Sequence, residues 1–323
     1  MAALTLDDLF ASPDHYLHSF EGDAAIFVPM DREAYRRSIF LDRRISPPSS
    51  RSMQLPVAAL LGKAPAPAQT GWIFHVAHCG STLLARALDD PEANLVLREP
   101  LALRQLALVP DAERLKVVLA MLAKRYRAER PTIVKANVPV NFLLPEIAAI
   151  EAEARVIFLY LGLEDYLRAI LRNDGHREWL GNVTRQLAGH LPDLAGASDA
   201  ERAAALWAAQ MRAFAKAMDE WPSARSLDAE DFFAEPARFV ALAAAHLQVP
   251  MSGEQVEALV AGPLFATYSK NPELAFDNEA RLAQRRELEA ALAPEIEQAR
   301  AWVEREAGDV GAVVERIRGA SLG

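Results

Sequence analysis

The chain has 323 residues, 51% of them hydrophobic, and a formal net charge of −9: enough apolar sequence for a sizeable core, and too acidic overall for a general nucleic-acid or anionic-membrane face. An anionic small ligand stays compatible with that charge only if the cations are concentrated locally. The single cysteine, Cys79, excludes an intramolecular disulfide and a multi-cysteine metal cluster. The longest apolar runs, such as FVALAAAHL, are too short to span a bilayer, and the N-terminal twenty residues carry acids early. The expectation is a cytoplasmic protein with no signal peptide, no membrane insertion and no metal.

In chain order, residues 1–43 read as a small N-terminal unit. AAIFV is its strand, and DREAYRRSIFLD is a helix with Asp31 placed to cap it. Residues 44–70 hold five of the 20 prolines and read as a linker or surface arm, because so much proline does not suit regular elements. From residue 71 the rhythm changes. The runs WIFHVA, NLVLR, TIVKA, RVIFLYL and ARSLD alternate with helical stretches at 81–90, 113–127, 141–151 and 163–173. Continuous apolar strands spaced by helices predict an α/β fold with a mainly parallel sheet covered on both faces. Residues 199–221 form a long amphipathic helix whose Trp207, Met211, Phe214 and Met218 recur at helical spacing and belong to the core. The tail, 271–323, is helical, rich in Glu and Arg and broken at Pro294; its charges read as a solvated face or a surface for contact between copies.

The first buried strand runs into HCGST and then a helix. Unpaired N–H groups at the helix start favour an anion, Gly80 allows its close approach, and Ser81 and Thr82 add hydroxyl donors. Against the Walker pattern, His75 replaces the first glycine and Ser81 the lysine, which argues against chemistry at the β,γ-phosphates of ATP or GTP. A cysteine-phosphatase loop fails by one residue: six positions after Cys79 stands Ala85, and the arginine is Arg86.

With these residues, HCGSTLLARAL resembles the 5′-phosphosulfate loop of sulfotransferases. Three further segments follow in that family's order: VLREP resembles its Lys/Arg-Glu-Pro signature, TIVKA with the following helix and RVIFLYL its Lys-bearing third strand through fourth strand, and RSLDAEDFFAEPARFVALAAAHL its late strand, turn and helix. The resemblance spans roughly residues 71–270 and implies a three-layer αβα P-loop fold. It also implies transfer of a sulfuryl group from 3′-phosphoadenosine 5′-phosphosulfate (PAPS), as co-substrate, to a hydroxyl or amine of a small molecule or carbohydrate. The donor would be held by His78, Cys79, Gly80, Ser81, Thr82 and Leu83, with Arg168, Arg172 and Lys270 as further contacts. His78 stands where the family carries Lys or Arg, as a histidinium, and Lys135 at a strand end is the other cation. Glu99 is the base by the same implication; a salt bridge with Arg98 or helix-start capping is the competing reading. His75 is assigned to packing.

One departure is sharp. Leu161, Gly162 and Leu163 replace the family's Arg-Asp-Pro, and Ala169 its serine, so both recognised 3′-phosphate ligands are missing. Arg168 and Arg172 lie on one helix face and offer two guanidinium forks, but Glu164 stands four residues before Arg168 as an ordinary helix pair. LRNDGHREW places His176 and Arg177 after an Asp-Gly turn as an acceptor wall, and Cys79 at a helix start as an acidic thiol. Two alternatives remain: a kinase of unusual loop chemistry, disfavoured by the absent lysine and by a fourth strand that ends without Asp, and a nucleotide-binding member that has lost catalysis.

Overall fold

A computed structural model describes residues 4–90, 92–275 and 278–323. Thr5 caps the first helix, α1 (Leu6–Ala11), in a reciprocal box with Asp8. An antiparallel sheet follows, formed by β1 (His15–Glu21), β2 (Ala24–Pro29) and β3 (Met53–Pro56), with α2 (Arg32–Arg37) capped by Asp31 between the last two. The proline-rich stretch is thus not without regular structure. Met53–Pro56 pairs with β2, and Pro56 closes the strand at its end, where a missing N–H is tolerated.

The central sheet and its connections come next: β4 (Gly71–His75), α3 (Ser81–Ala87), β5 (Leu95–Arg98), α4 (Leu101–Leu108), α5 (Ala112–Leu122), β6 (Thr132–Lys135), α6 (Leu144–Ile150), β7 (Arg155–Tyr160), α7 (Leu163–Leu171), α8 (Asp174–Gln186), α9 (Asp199–Glu220) and β8 (Arg225–Asp228). All five strands run parallel in the order β5-β6-β4-β7-β8. In this strand order the connection from β4 to β5 runs toward one edge and the remaining three toward the other, so the right-handed crossover rule puts them on opposite faces, the αβα layering that the alternation predicts. Helices α10 (Ala229–Ala234), α11 (Pro236–His246) and α12 (Gly253–Val260) follow β8. A short hairpin, β9 (Thr267–Tyr268) and β10 (Asn271–Ala275), leads into α13 (Asn278–Ala291), α14 (Ala293–Glu306) and α15 (Val310–Gly319). Pro294 occupies the first turn of α14, which is why the tail breaks there.

The middle strands carry the apolar core, with Ile73, Phe74, Ile133, Val134, Ile157 and Phe158 all buried. Trp207, Met211 and Phe214 of α9 are buried on the same core, and the Trp207 indole donates to Leu161 O at 2.9 Å. Both sheet edges are occupied. Beside β5, Leu41 N donates to Arg98 O (2.7 Å) and Leu101 N to Leu41 O (3.2 Å); beside β8, Ser226 N donates to Ala320 O (2.9 Å) and Leu322 N to Ser226 O (2.8 Å). Arg98, only 1% exposed, fixes the first of these contacts. Its guanidinium pairs with Asp89 at 2.5 Å and donates to the carbonyls of Tyr35, Arg36, Ser38 and Ile39.

Candidate active site

The chain leaves β4 at His75 near the middle of the sheet's carboxyl edge, where open α/β sheets present their ligand crevice. The His75 imidazole reaches Val76 O (2.7 Å) and Ala136 O (2.8 Å), joining the loop to the end of β6; burial and then the Lys135 charge push its pKa down to about 3. His78 takes the left-handed conformation (φ +61°), and Gly80 does so again (φ +79°) as the cap of α3. A Cβ at Gly80 would stand 2.7 Å from Phe233 Cζ, so glycine is required for both its backbone and the ring packed on it. Cys79 turns inward and donates to Val76 O; burial raises its thiol to about 11, so the acidic thiol expected at a helix start is not what this loop makes. Thr82 is 1% exposed, and its hydroxyl has no hydrogen-bond partner among the described residues. An orphaned buried hydroxyl calls for a ligand atom or water.

Thr82 is one of the residues that line a cavity of about 530 Å³. All the residues singled out from sequence as donor contacts, from His78 to Leu83 together with Arg168, Arg172 and Lys270, line it. Five of the lining side chains are Arg or Lys and two are carboxylates, Asp165 and Glu230. The local concentration of cations anticipated for an acidic chain is therefore present, though unevenly available. Arg168 is spoken for: it is buried and bonded to Asp165 (2.8 Å) and Glu164 (3.0 Å), with Glu289 at 3.7 Å, so the helix-pair reading of Glu164 and Arg168 is the observed one. Arg172 donates to His176 Nε2 at 3.3 Å, and neither it nor Lys270 has a carboxylate at ion-pair distance among the described residues.

The sequence suggests His78 as a histidinium cation, and its surroundings in the structure oppose that charge. Its ring lies 3.8 Å from that of His176, centroid to centroid, with Trp179 edge-on at 5.7 Å. Burial, followed by the charges of Lys270, His176, Arg172 and His75, holds its pKa well below the ordinary 6.5. His176, suggested from sequence as part of an acceptor wall, is one of the residues that line the cavity. Asn173 caps α8 through a bond to His176 N (2.9 Å), so NDG opens a helix, and the His176 ring contacts Ala169 O at 2.7 Å inside the cavity. Arg177 turns away to Glu295 (2.8 Å) and Asp199 (3.4 Å).

Glu99 and Lys135 sit on the other side of the loop and do not line the cavity. The parallel register sets Arg98 beside Lys135, so the next residue, Glu99, lies over the end of β6, where Glu99 N donates to Lys135 O at 2.7 Å. Glu99 is left-handed (φ +56°), and its carboxylate pairs with Lys135 Nζ; Arg98 faces the opposite way, so the alternative pairing with Arg98 is excluded. Burial opposes ionisation of Glu99, but Lys135, His75 and Lys270 outweigh it and hold the carboxyl below its usual range. Lys270 links the two halves. Arg86 donates to Ser269 O at 2.9 Å and fixes the β9–β10 turn, and the Lys270 charge acts on His78 and Cys79 at one side and on Glu99 and Lys135 at the other. Burial of its ammonium, then the Lys135 charge, lowers the Lys270 pKa, although the residue as a whole is exposed.

Sequence reasoning missed Asp165, Glu230, Arg281 and Arg285, which complete the cavity wall. Each looks like an ordinary helix-surface charge, and only the fold brings them together. No protein-family model matches the chain, and comparison with curated proteins finds no match. Among solved structures, a sulfotransferase from Alicyclobacillus acidocaldarius is similar over 75% of this chain and 98% of its own, at 16% identity and a TM-score of 0.40. The sulfotransferase domain from the curacin biosynthetic pathway is similar over 70% of this chain and 97% of its own, at 12% identity and a TM-score of 0.41. Scores of this size carry no weight for the chemistry, which rests on the residues above.

Proposed function

We propose that the protein is a sulfotransferase-type enzyme that binds a phosphosulfate donor of the PAPS kind in the cavity and sulfates a hydroxyl or amine of a small-molecule or carbohydrate acceptor. The observation that carries this reading is the Gly-Ser-Thr turn, with its buried and unpartnered Thr82 hydroxyl, on a cavity whose charged lining has five Arg or Lys side chains to two carboxylates. When bound, the donor supplies the sulfuryl group: its S–O bond to the 5′ phosphate breaks, the phosphate leaving with that electron pair, as an S–O bond to an acceptor hydroxyl or an S–N bond to an acceptor amine forms. The chain's own residues have separable tasks. Ser81, Thr82 and the backbone around Gly80 hold the phosphate. Lys270, which lines the cavity beside the turn, meets the charge that develops on it. Glu99 is ionised at neutral pH and takes the acceptor proton, with Lys135 fixing the carboxylate's direction. His78 acts as a neutral hydrogen-bonding group.

A second reading is favoured by one observation: Glu99 and Lys135 satisfy each other outside the cavity, as in a binding protein that has lost catalysis. A thermal-shift panel followed by a transfer assay decides. Adenosine 3′,5′-bisphosphate raises the melting temperature more than ATP with magnesium does, and Glu99→Gln removes transfer while keeping that shift. No shift with either nucleotide sinks the donor reading, and a magnesium-dependent ATP shift turns the site over to a kinase. A bisphosphate shift without transfer to any hydroxyl or amine leaves the binding protein.

A further inference from the structure

α13 lies over the cavity without the usual means of holding a helix down. None of its described side chains is buried; Leu288 alone packs partly against the core. Helices of globular proteins are held chiefly by an apolar face. Here the hold is ionic. Arg281 forks both oxygens of Glu230 (2.7 and 3.0 Å) and lies over the Phe233 ring at 4.4 Å, while Arg285 reaches Glu230 (2.7 Å) and Asp165 (2.7 Å). Asp165 comes from α7 and Glu230 from α10, and both arginines and both carboxylates line the cavity. A carboxylate in a guanidinium fork has the geometry of two oxygens of a phosphate or sulfate, so the two classes of anion compete for the same donors.

We propose that Arg281 and Arg285 are ligand-binding residues carried on a strap, with Glu230 and Asp165 occupying their forks until an anionic group of the ligand takes them over. Affinity is then set by exchange against two internal carboxylates, and the ligand class is a molecule with two separated anionic groups, one at the Gly-Ser-Thr turn and one under α13. This rests on the reading of the cavity as an anion site, and three variants separate the two ideas: Thr82→Val for the turn, Glu230→Gln for the internal competitor, and Arg281→Ala with Arg285→Ala for the strap. Titration calorimetry with adenosine 3′,5′-bisphosphate reads the affinity, and hydrogen exchange over residues 278–291 without ligand reads the hold on α13. Exchange across α13 speeds up in both the Glu230 and the double-arginine variants. The expected affinities diverge: Glu230→Gln binds roughly fivefold or more tightly, and the double-arginine variant at least as much more weakly. Equal or weaker binding by Glu230→Gln, or unchanged binding after loss of both arginines, overturns the strap; if Thr82→Val still weakens binding in that case, the anion site itself stands. A wild-type protein that binds no bisphosphate overturns both.

Discussion

Replacing Lys135 by methionine tests the pair at the centre of the site. Lys135 is fully buried, and its partner Glu99 has a side chain only 17% exposed. Removing one member of a buried pair strands the other charge and costs about 3–5 kcal/mol. Unfolding entropy is about 2.1 cal/mol/K per residue, so over 323 residues each kcal/mol moves the melting temperature by about 1.5 °C. Lys135→Met should therefore lower it by about 4–7 °C at neutral pH. Adding Glu99→Gln removes the stranded charge, so the double variant melts above the Lys135 single variant. Acidity supplies a second axis. In the wild type Glu99 is held below its ordinary 4.5, so its contribution is complete above that pH and fades as pH falls through the lower folded value. Without Lys135, burial dominates and raises the carboxyl, so the variant's deficit is largest at neutral pH and shrinks on acidification. Differential scanning calorimetry of the four proteins at about pH 7.5 and about pH 4.5 checks this. A Lys135→Met melting point within about 1 °C of wild type, or a double variant lower than both singles, refutes the reasoning.

Gly80→Ala meets both a left-handed backbone and the Phe233 ring, and should cost about 1–3 kcal/mol by denaturant unfolding; adding Phe233→Ala removes the contact, so a second cost there equal to that of Phe233→Ala in the wild type would count against the clash. Because His78 is held below 6.5, the unfolded chain binds a proton there that the native chain does not, and stability is lost as pH falls through that value. His78→Gln should therefore lose less stability than wild type between about pH 7.5 and about pH 5.5, and equal losses would return the charge to this imidazole. The Cys79 thiol, buried and raised to about 11, should resist iodoacetamide in the folded protein and react once it is denatured; rapid alkylation of the native protein, read by mass spectrometry, would contradict that placement.

The central sheet and the turn after β4 were legible because their signals are local: apolar runs of strand length, and Gly80 in a polar turn between a strand and a helix. Glu99 and Lys135 were legible singly, but their contact depends on the parallel register of β5 and β6. β1 escaped notice for a physical reason. A register shift between Leu17 and Ser19 breaks its alternation, and no period-two pattern survives in HYLHSFE. The charges of Asp165, Glu230, Arg281 and Arg285 were hidden differently. A helix-surface charge looks the same in sequence whether it faces water or a cavity, and these four come from helices that only the fold assembles. The protonation of His78 could not be read either, since it is opposed first by burial and then by the charges of Lys270, His176 and Arg172, all set by the fold.

The covered edges of the central sheet bear on how the protein fails. An open edge strand is a template on which other chains add strands. Here residue 41 sits against β5 under the grip of Arg98, and residues 320–322 sit against β8. Damage that releases either segment, whether a nick before Ala320 or loss of the Arg98 clamp, uncovers unpaired backbone at the rim without touching the cavity. Such lesions should announce themselves as association between chains at temperatures where the ligand site is still intact.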